Sequence, residues 1–294
     1  MALHKLHYFP VRSRGETLRM MLEYTKIPYA NHFVTFGEWM EDKDGVRTKR
    51  YPLGPGASKA TLPVLEMPDG SMTPDSHAIA KWIAETAAQK FDESDPRAHL
   101  KGESPERSEM LFGIADADPA AFGGSGVQQL GMVDPILNFF PREESEPMVG
   151  PFLSTLPRVM RWFAAELKKA GGTYFGGKYP SYADFFLLHI FTNINTLDGG
   201  ATLNERIGTP SKENDPMPSN DDISALRAWY ATMSSIPEVA KYMKERPQTG
   251  SGIGMADGTG VGMPNSIIVS TDTPSDLDVV KSAIGAGAAP ASGA

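Results

Sequence analysis

Strand-like and helix-like patterning alternate through the first ninety or so residues, and after Asp92-Glu93-Ser94-Asp95-Pro96 the strand signals nearly vanish. A chain with this junction builds its sheet from the first third and packs the remainder as helices. Residues 3–9 read as a first strand and 14–24 as a helix whose Leu18, Met21 and Leu22 recur at i, i+3 and i+4. Pro28 closes that region, and 29–35 reads as a second strand. Residues 62–67 and 71–73 form a hairpin around Pro68-Asp69-Gly70, a favourable turn sequence. Residues 76–87 read as a helix with Ile79, Trp82 and Ile83 on one side. From 42 to 60 the chain is charged and rich in Gly and Pro, the texture of a long exposed loop.

The order β-α-β, then β-β-α, is a thioredoxin-like layout, assigned to residues 1–90. Helical patterns at 103–117, 153–170, 181–197 and 221–246 predict an all-α second domain over 91–249. Ser181-Tyr182-Ala183-Asp184 resembles a capping box with Asp in place of Glu or Gln. In that reading Ser181 accepts from the Asp184 N–H, and the Asp184 carboxylate reaches back to the Ser181 N–H. The helix that follows is apolar nearly all round and is expected to be the central buried one. Residues 198–220 read as an inserted loop. Residues 250–294 hold no aromatic side chain, are dense in Gly, Ser and Ala, and read as a mobile tail.

The formal charge of −8 argues against nonspecific binding to nucleic acid or anionic membranes. No run approaches the length of a membrane-spanning helix, and the N-terminus lacks an apolar signal core, so a cytoplasmic protein is expected. The chain contains no cysteine, which excludes disulfides, thiolate metal sites and a Cys nucleophile. His4 and His7 alternate across a strand, and no metal site is expected.

Lys5-Leu6-His7-Tyr8-Phe9 followed by Arg12, Arg14 and Glu16, then Trp39 and Lys43, Leu62-Pro63, Asp75-Ser76, Ser181-x-x-Asp184 and Arg246-Pro247-Gln248-Thr249, occur in an order that resembles the sigma class of glutathione transferases. Asp75 departs from the usual amide or Glu, Thr61 from the usual Lys or Gln, and the segments 42–60 and 198–220 are long. The resemblance implies a thioredoxin-like N-terminal domain followed by an all-α domain. It also implies a homodimer and glutathione as co-substrate.

It assigns Tyr8 as donor of a hydrogen bond to the glutathione sulfur, with Arg14 adding positive potential and helping to orient the ring. A thiol titrates near ~8.5, and lowering that by about two units takes about 2.7 kcal/mol of selective stabilisation. A charge-assisted hydrogen bond in a partly dry pocket supplies this. The rest of the implied grip is Leu62 beside a cis Pro63, pairing with the cysteinyl part; Ser76 at a helix start for the γ-glutamyl carboxylate; and Asp75 for its ammonium. Trp39 and Lys43 meet the glycine end. Asp118, or else Asp116, reaches the neighbouring subunit's glutathione. A hydrophobic electrophile touches Phe9 and Val11. The expected activity is conjugation of glutathione to an electrophile, as in detoxification. The alternatives are a catalytically silent structural or assembly protein with the same fold and an isomerase acting on a lipid peroxide. A Cys-dependent reductase is disfavoured.

Overall fold

The computed structural model describes residues 3–9, 12–34, 39, 50–54, 56, 58–113, 150–197 and 218–246. Strand β1 (His4–Tyr8) leads into α1 (Ser13–Thr25), which ends where Lys26 adopts the left-handed conformation, φ 50°. Strand β2 (Tyr29–Phe33) then runs parallel to β1, the arrangement that a helical crossover connection permits. β3 (Val64–Glu66) and β4 (Met72–Pro74) form the expected hairpin. Its turn is closed by the Gly70 N–H donating to the Met67 carbonyl at 2.9 Å, with Gly70 at φ 85°. The sheet order is β2-β1-β3-β4, mixed in direction. Helix α2 (Ser76–Lys90) packs beside α1, and Leu18, Met21, Leu22, Ile79 and Ile83 are buried between sheet and helices. The thioredoxin-like layer is thus formed by the residues whose spacing predicted it.

Beyond a 3-10 turn at Pro96–His99, the described chain is helical: α3 (Pro105–Phe112), α4 (Gly150–Ala170), α5 (Tyr182–Leu197), α6 (Asn220–Ser235) and α7 (Pro237–Glu245). The single pattern at 221–246 is two helices, because Pro237 lacks the N–H that would continue α6 and instead opens α7. Helix α5 is central. Ala183, Phe185, Leu187, Leu188, Ile190 and Phe191 are all buried, and the Phe191 ring meets Phe163 and Trp229 edge-on at 5.6 and 5.0 Å. Among the described residues no helix is long and apolar enough to cross a membrane. Most of the inserted loop (198–217) and the whole tail lie outside the described residues.

Asp184 does more than cap α5. Its carboxylate is fully buried and accepts from the N–H groups of Phe175 (2.8 Å), Gly176 (2.9 Å) and Ser181 (2.8 Å), the Ser181 hydroxyl (2.9 Å) and the Trp229 indole N–H (2.8 Å). Only half of the expected capping box is present. The Ser181 hydroxyl donates to the carboxylate, and the Asp184 N–H turns to the Ser181 carbonyl at 3.0 Å. Burial raises the Asp184 pKa, and the converging donors oppose that rise. Gly176 permits this close approach, since a Cβ there would lie 2.6 Å from the Tyr179 carbonyl oxygen.

Candidate functional site

The sheet register gathers the candidate residues at one end. His7 pairs with Val64 across the antiparallel β1–β3 ladder, so Tyr8 ends its strand beside Pro63, which precedes β3. Val64 pairs with Pro74, which brings Asp75 and Ser76 to the same end. The Asp75 N–H donates to the Pro63 carbonyl at 3.1 Å and ties the two loops together. The Leu62–Pro63 peptide is cis, the isomer implied by the resemblance. Phe9, one residue past Tyr8, meets the Trp39 ring edge-on at 5.7 Å. Tyr8, Phe9, Trp39, Leu62, Pro63, Asp75 and Ser76 therefore share one rim. Lys43, Val11, Asp116 and Asp118 lie outside the described residues.

Ser76 is the first residue of α2, but Asp75 is its N-cap. Held at φ 78°, Asp75 accepts through Oδ1 from the N–H groups of His77 (2.9 Å) and Ala78 (3.1 Å). A non-Gly residue at that φ is uncommon and characteristic of functional rims. The Asp75 carboxylate thus commits one oxygen to the first turn of the helix and leaves the other outside these two bonds.

Tyr8 is 5 % exposed, its ring 5.6 Å from that of Phe9. Arg14 stands exposed on α1. The Arg19 guanidinium lies over the Tyr8 ring, its Cζ 5.9 Å from the ring centroid. Sequence reading treated Arg19 as part of the helix and gave it no role. Its signal was a charge on the face that Leu18 and Leu22 bury.

Arg19 belongs to a buried cluster. Glu16, fully enclosed, accepts from Tyr242 Oη at 2.8 Å and from Arg246 Nη1, with Arg19 Nη1 at 3.5 Å. Burial pushes the Glu16 carboxyl up, but the guanidinia of Arg246, Arg19 and Arg12 overcome this and hold it at about 2. Arg12 is lowered to about 10 by burial and by repulsion from Arg246.

Sequence reading also missed a second polar cluster, on β1–β3. His7 Nε2 lies 2.9 Å from Glu66 Oε2 and Nδ1 lies 3.4 Å from the Tyr51 hydroxyl, with the His32 ring 4.4 Å away. A neutral imidazole carrying its proton on Nε2 satisfies both contacts. Burial is the largest influence on His7 and lowers it to about 4, against the opposing pull of Glu66. Because the folded pKa lies below the unfolded value, folding favours neutral His7. That contribution is complete above about pH 6.5 and is lost as pH falls toward about 4. In an NMR titration His7 is expected to remain neutral at pH 5.5, roughly one unit below an ordinary histidine. A midpoint at or above that of an unperturbed His would contradict the buried neutral assignment.

Comparison with known proteins adds the family context. A family model described as "Glutathione S-transferase, N-terminal domain" matches residues 14–86, and one described as "Glutathione S-transferase, C-terminal domain" matches 134–246. The chain is 34 % identical over 84 residues to a probable glutathione S-transferase 8 of Caenorhabditis elegans, an alignment covering 29 % of this chain and 35 % of that protein. It is 36 % identical over 84 residues to S-crystallin SL18 of Nototodarus sloanii, covering 29 % of this chain and 24 % of that protein. At longer range it is 23 % identical over 252 residues to the hematopoietic prostaglandin D synthase of Gallus gallus, covering 84 % and 98 %. The solved structure of NaGST-2 superposes with a TM-score of 0.55 at 22 % identity, covering 85 % of this chain and 99 % of that one, which speaks for the fold.

Proposed function

The chain belongs to the glutathione S-transferase family, and from that premise we propose that it binds glutathione at the rim around Tyr8 and joins it through its sulfur to a hydrophobic electrophile. The observation that carries the reading is the convergence at one sheet end of Tyr8, cis Pro63 and the Asp75–Ser76 helix start. A phenol, an extended backbone edge and a helix N-terminus are the three chemistries that a peptide thiol with a free carboxylate needs.

In this mechanism glutathione lies along Leu62. The Ser76 hydroxyl and N–H hold the γ-glutamyl carboxylate, and the Asp75 oxygen not bound to the helix meets the adjacent ammonium. Trp39 and Lys43 receive the glycine end. The Tyr8 O–H donates to the sulfur and favours thiolate over thiol, so the proton leaves to solvent and the anion attacks the electrophile beside Phe9 and Val11. Tyr8 remains a neutral donor throughout. Arg14 adds positive potential from the start of α1. Asp118 reaches across to a second subunit in the proposed homodimer. A narrower version, isomerisation of a lipid peroxide with glutathione regenerated, uses the same thiolate.

A second reading has its own support. Tyr8 is 5 % exposed, and a ring so enclosed suits a member of the family that keeps the fold without turnover. Calorimetry with glutathione, followed by a conjugation assay with a chromogenic aryl halide, separates the two. Micromolar-to-millimolar binding with turnover supports the transferase. Absence of both supports the silent fold and ends the catalytic proposal.

A further inference from the structure

The Tyr8 ring rests on α1 at a point where the helix has no side chain. A Cβ on Gly15 would lie 2.5 Å from Tyr8 Cδ1 and 3.0 Å from both Arg19 Nη1 and Nη2. Gly15 thus opens a slot shared by the ring and the guanidinium. Arg19 is not left to find its own orientation there. Its Nε donates to Asn31 Oδ1 of β2 at 2.9 Å, and Nη1 contacts Glu16 Oε2 at 3.5 Å and the Arg12 carbonyl at 3.4 Å. Glu16 is fixed in turn from the other end of the chain, by the Tyr242 hydroxyl of α7 and by Arg246 directly after it.

We propose that Arg19 is a positioning residue for Tyr8, seated by Gly15, Asn31 and Glu16, and that Tyr242 and Arg246 complete the setting, so that the strength of the Tyr8 donor depends on how α7 docks against α1. The functional meaning rests on the proposed glutathione reading; the contact itself does not. A cation about 6 Å from an aromatic centroid is attracted to the ring and fixes its orientation. In a buried setting its field also favours the phenolate and makes the O–H a stronger donor. Glu16 tempers that field. Its negative charge is shared among Arg19, Arg246 and the Tyr242 O–H. Weakening a terminal-helix partner leaves more of Glu16 to Arg19 and less of Arg19 to Tyr8. The charged and titratable groups facing Glu16 include Arg12 just before α1, Arg19 of α1, Tyr29 of β2, His189 of α5, and Tyr242 and Arg246 at the end of the described chain.

The test is a titration of the Tyr8 phenol in the full ligand-free chain, by NMR of isotope-labelled tyrosine Cζ. The Tyr8 signal is identified as the one absent from Tyr8→Phe. Arg19→Gln is expected to raise the Tyr8 pKa by about one unit. Arg19→Lys, which keeps the charge, restores at least half of that. Tyr242→Phe, remote from the ring, raises it by a smaller amount in the same direction. If Arg19→Gln does not fold, Arg19→Lys and Tyr242→Phe decide. An unmoved Tyr8 titration in the folded variants overturns the proposal. A parent Tyr8 that stays protonated up to alkaline unfolding also overturns it, because the cation then exerts no useful field. Failure of the parent chain to bind glutathione overturns the transferase reading instead and leaves the phenol titration able to judge this one.

Discussion

Tyr8→Phe is expected to lower glutathione conjugation by about 100-fold near pH 6.5 while leaving the melting temperature within about 2 °C of the parent. Phe keeps the ring against Gly15 and Phe9 and removes only the hydroxyl. Without that donor the bound thiol returns toward the unperturbed value of about 8.5, a change of about two units, or about 2.7 kcal/mol of lost preference for the anion. The deficit depends on pH in a defined direction. It is largest below the parent's thiol pKa and shrinks as pH rises through the variant's, where both enzymes hold thiolate. Stopped-flow or steady-state rates across pH 5.5 to 9, with ultraviolet absorbance of the bound thiolate, check both parts. A Phe variant that conjugates within about threefold of the parent at every pH would remove Tyr8 from the mechanism.

Asp184→Ala is expected to be the most destabilising single change in the helical domain, costing about 4 kcal/mol or more. The substitution leaves the N–H groups of Phe175, Gly176 and Ser181 and the indole N–H of Trp229 buried without their acceptor. Each orphaned buried donor costs about 1–3 kcal/mol, and partial collapse of the site recovers some of the sum. For a chain of this size the loss corresponds to a drop of roughly 10 °C or more in Tm. Asp184→Asn keeps one acceptor and turns an NH2 group toward the remaining donors, so it falls between parent and Ala. Differential scanning calorimetry of the three proteins gives the ranking. An Ala variant melting within about 2 °C of the parent would show that the carboxylate caps a helix and little else.

The sequence carried the elements whose periodicity was unmixed. Leu18, Met21 and Leu22 mark one face of α1, Pro68-Asp69-Gly70 marks a turn, and the apolar run after Ser181 marks a central helix; each took the predicted place. The shared rim of Tyr8, Pro63 and Asp75 was legible only through the family resemblance, because strand register is a long-range property. Three features were invisible for physical reasons. Arg19 read as an ordinary polar helix residue and Glu16 entered only as part of the family motif, since the contact that encloses Glu16 comes from a partner 230 positions away in the chain. His32 gained its role by lying in register with His7 on a neighbouring strand. The Ser181 hydroxyl could accept or donate with equal ease, and the buried carboxylate decided for donation.

The bond from Arg246 to Glu16 has a consequence for synthesis. A ribosome delivers α1 long before α7, so the nascent sheet layer emerges with a carboxylate destined for the interior and only the nearby Arg12 and Arg19 to meet it. Until the final described helix leaves the exit tunnel, that acid lacks the Tyr242 hydroxyl and the Arg246 guanidinium. A message ending before residue 237 therefore yields an N-terminal half that lacks its lock, and the last described helix acts as the seal that declares the first one finished.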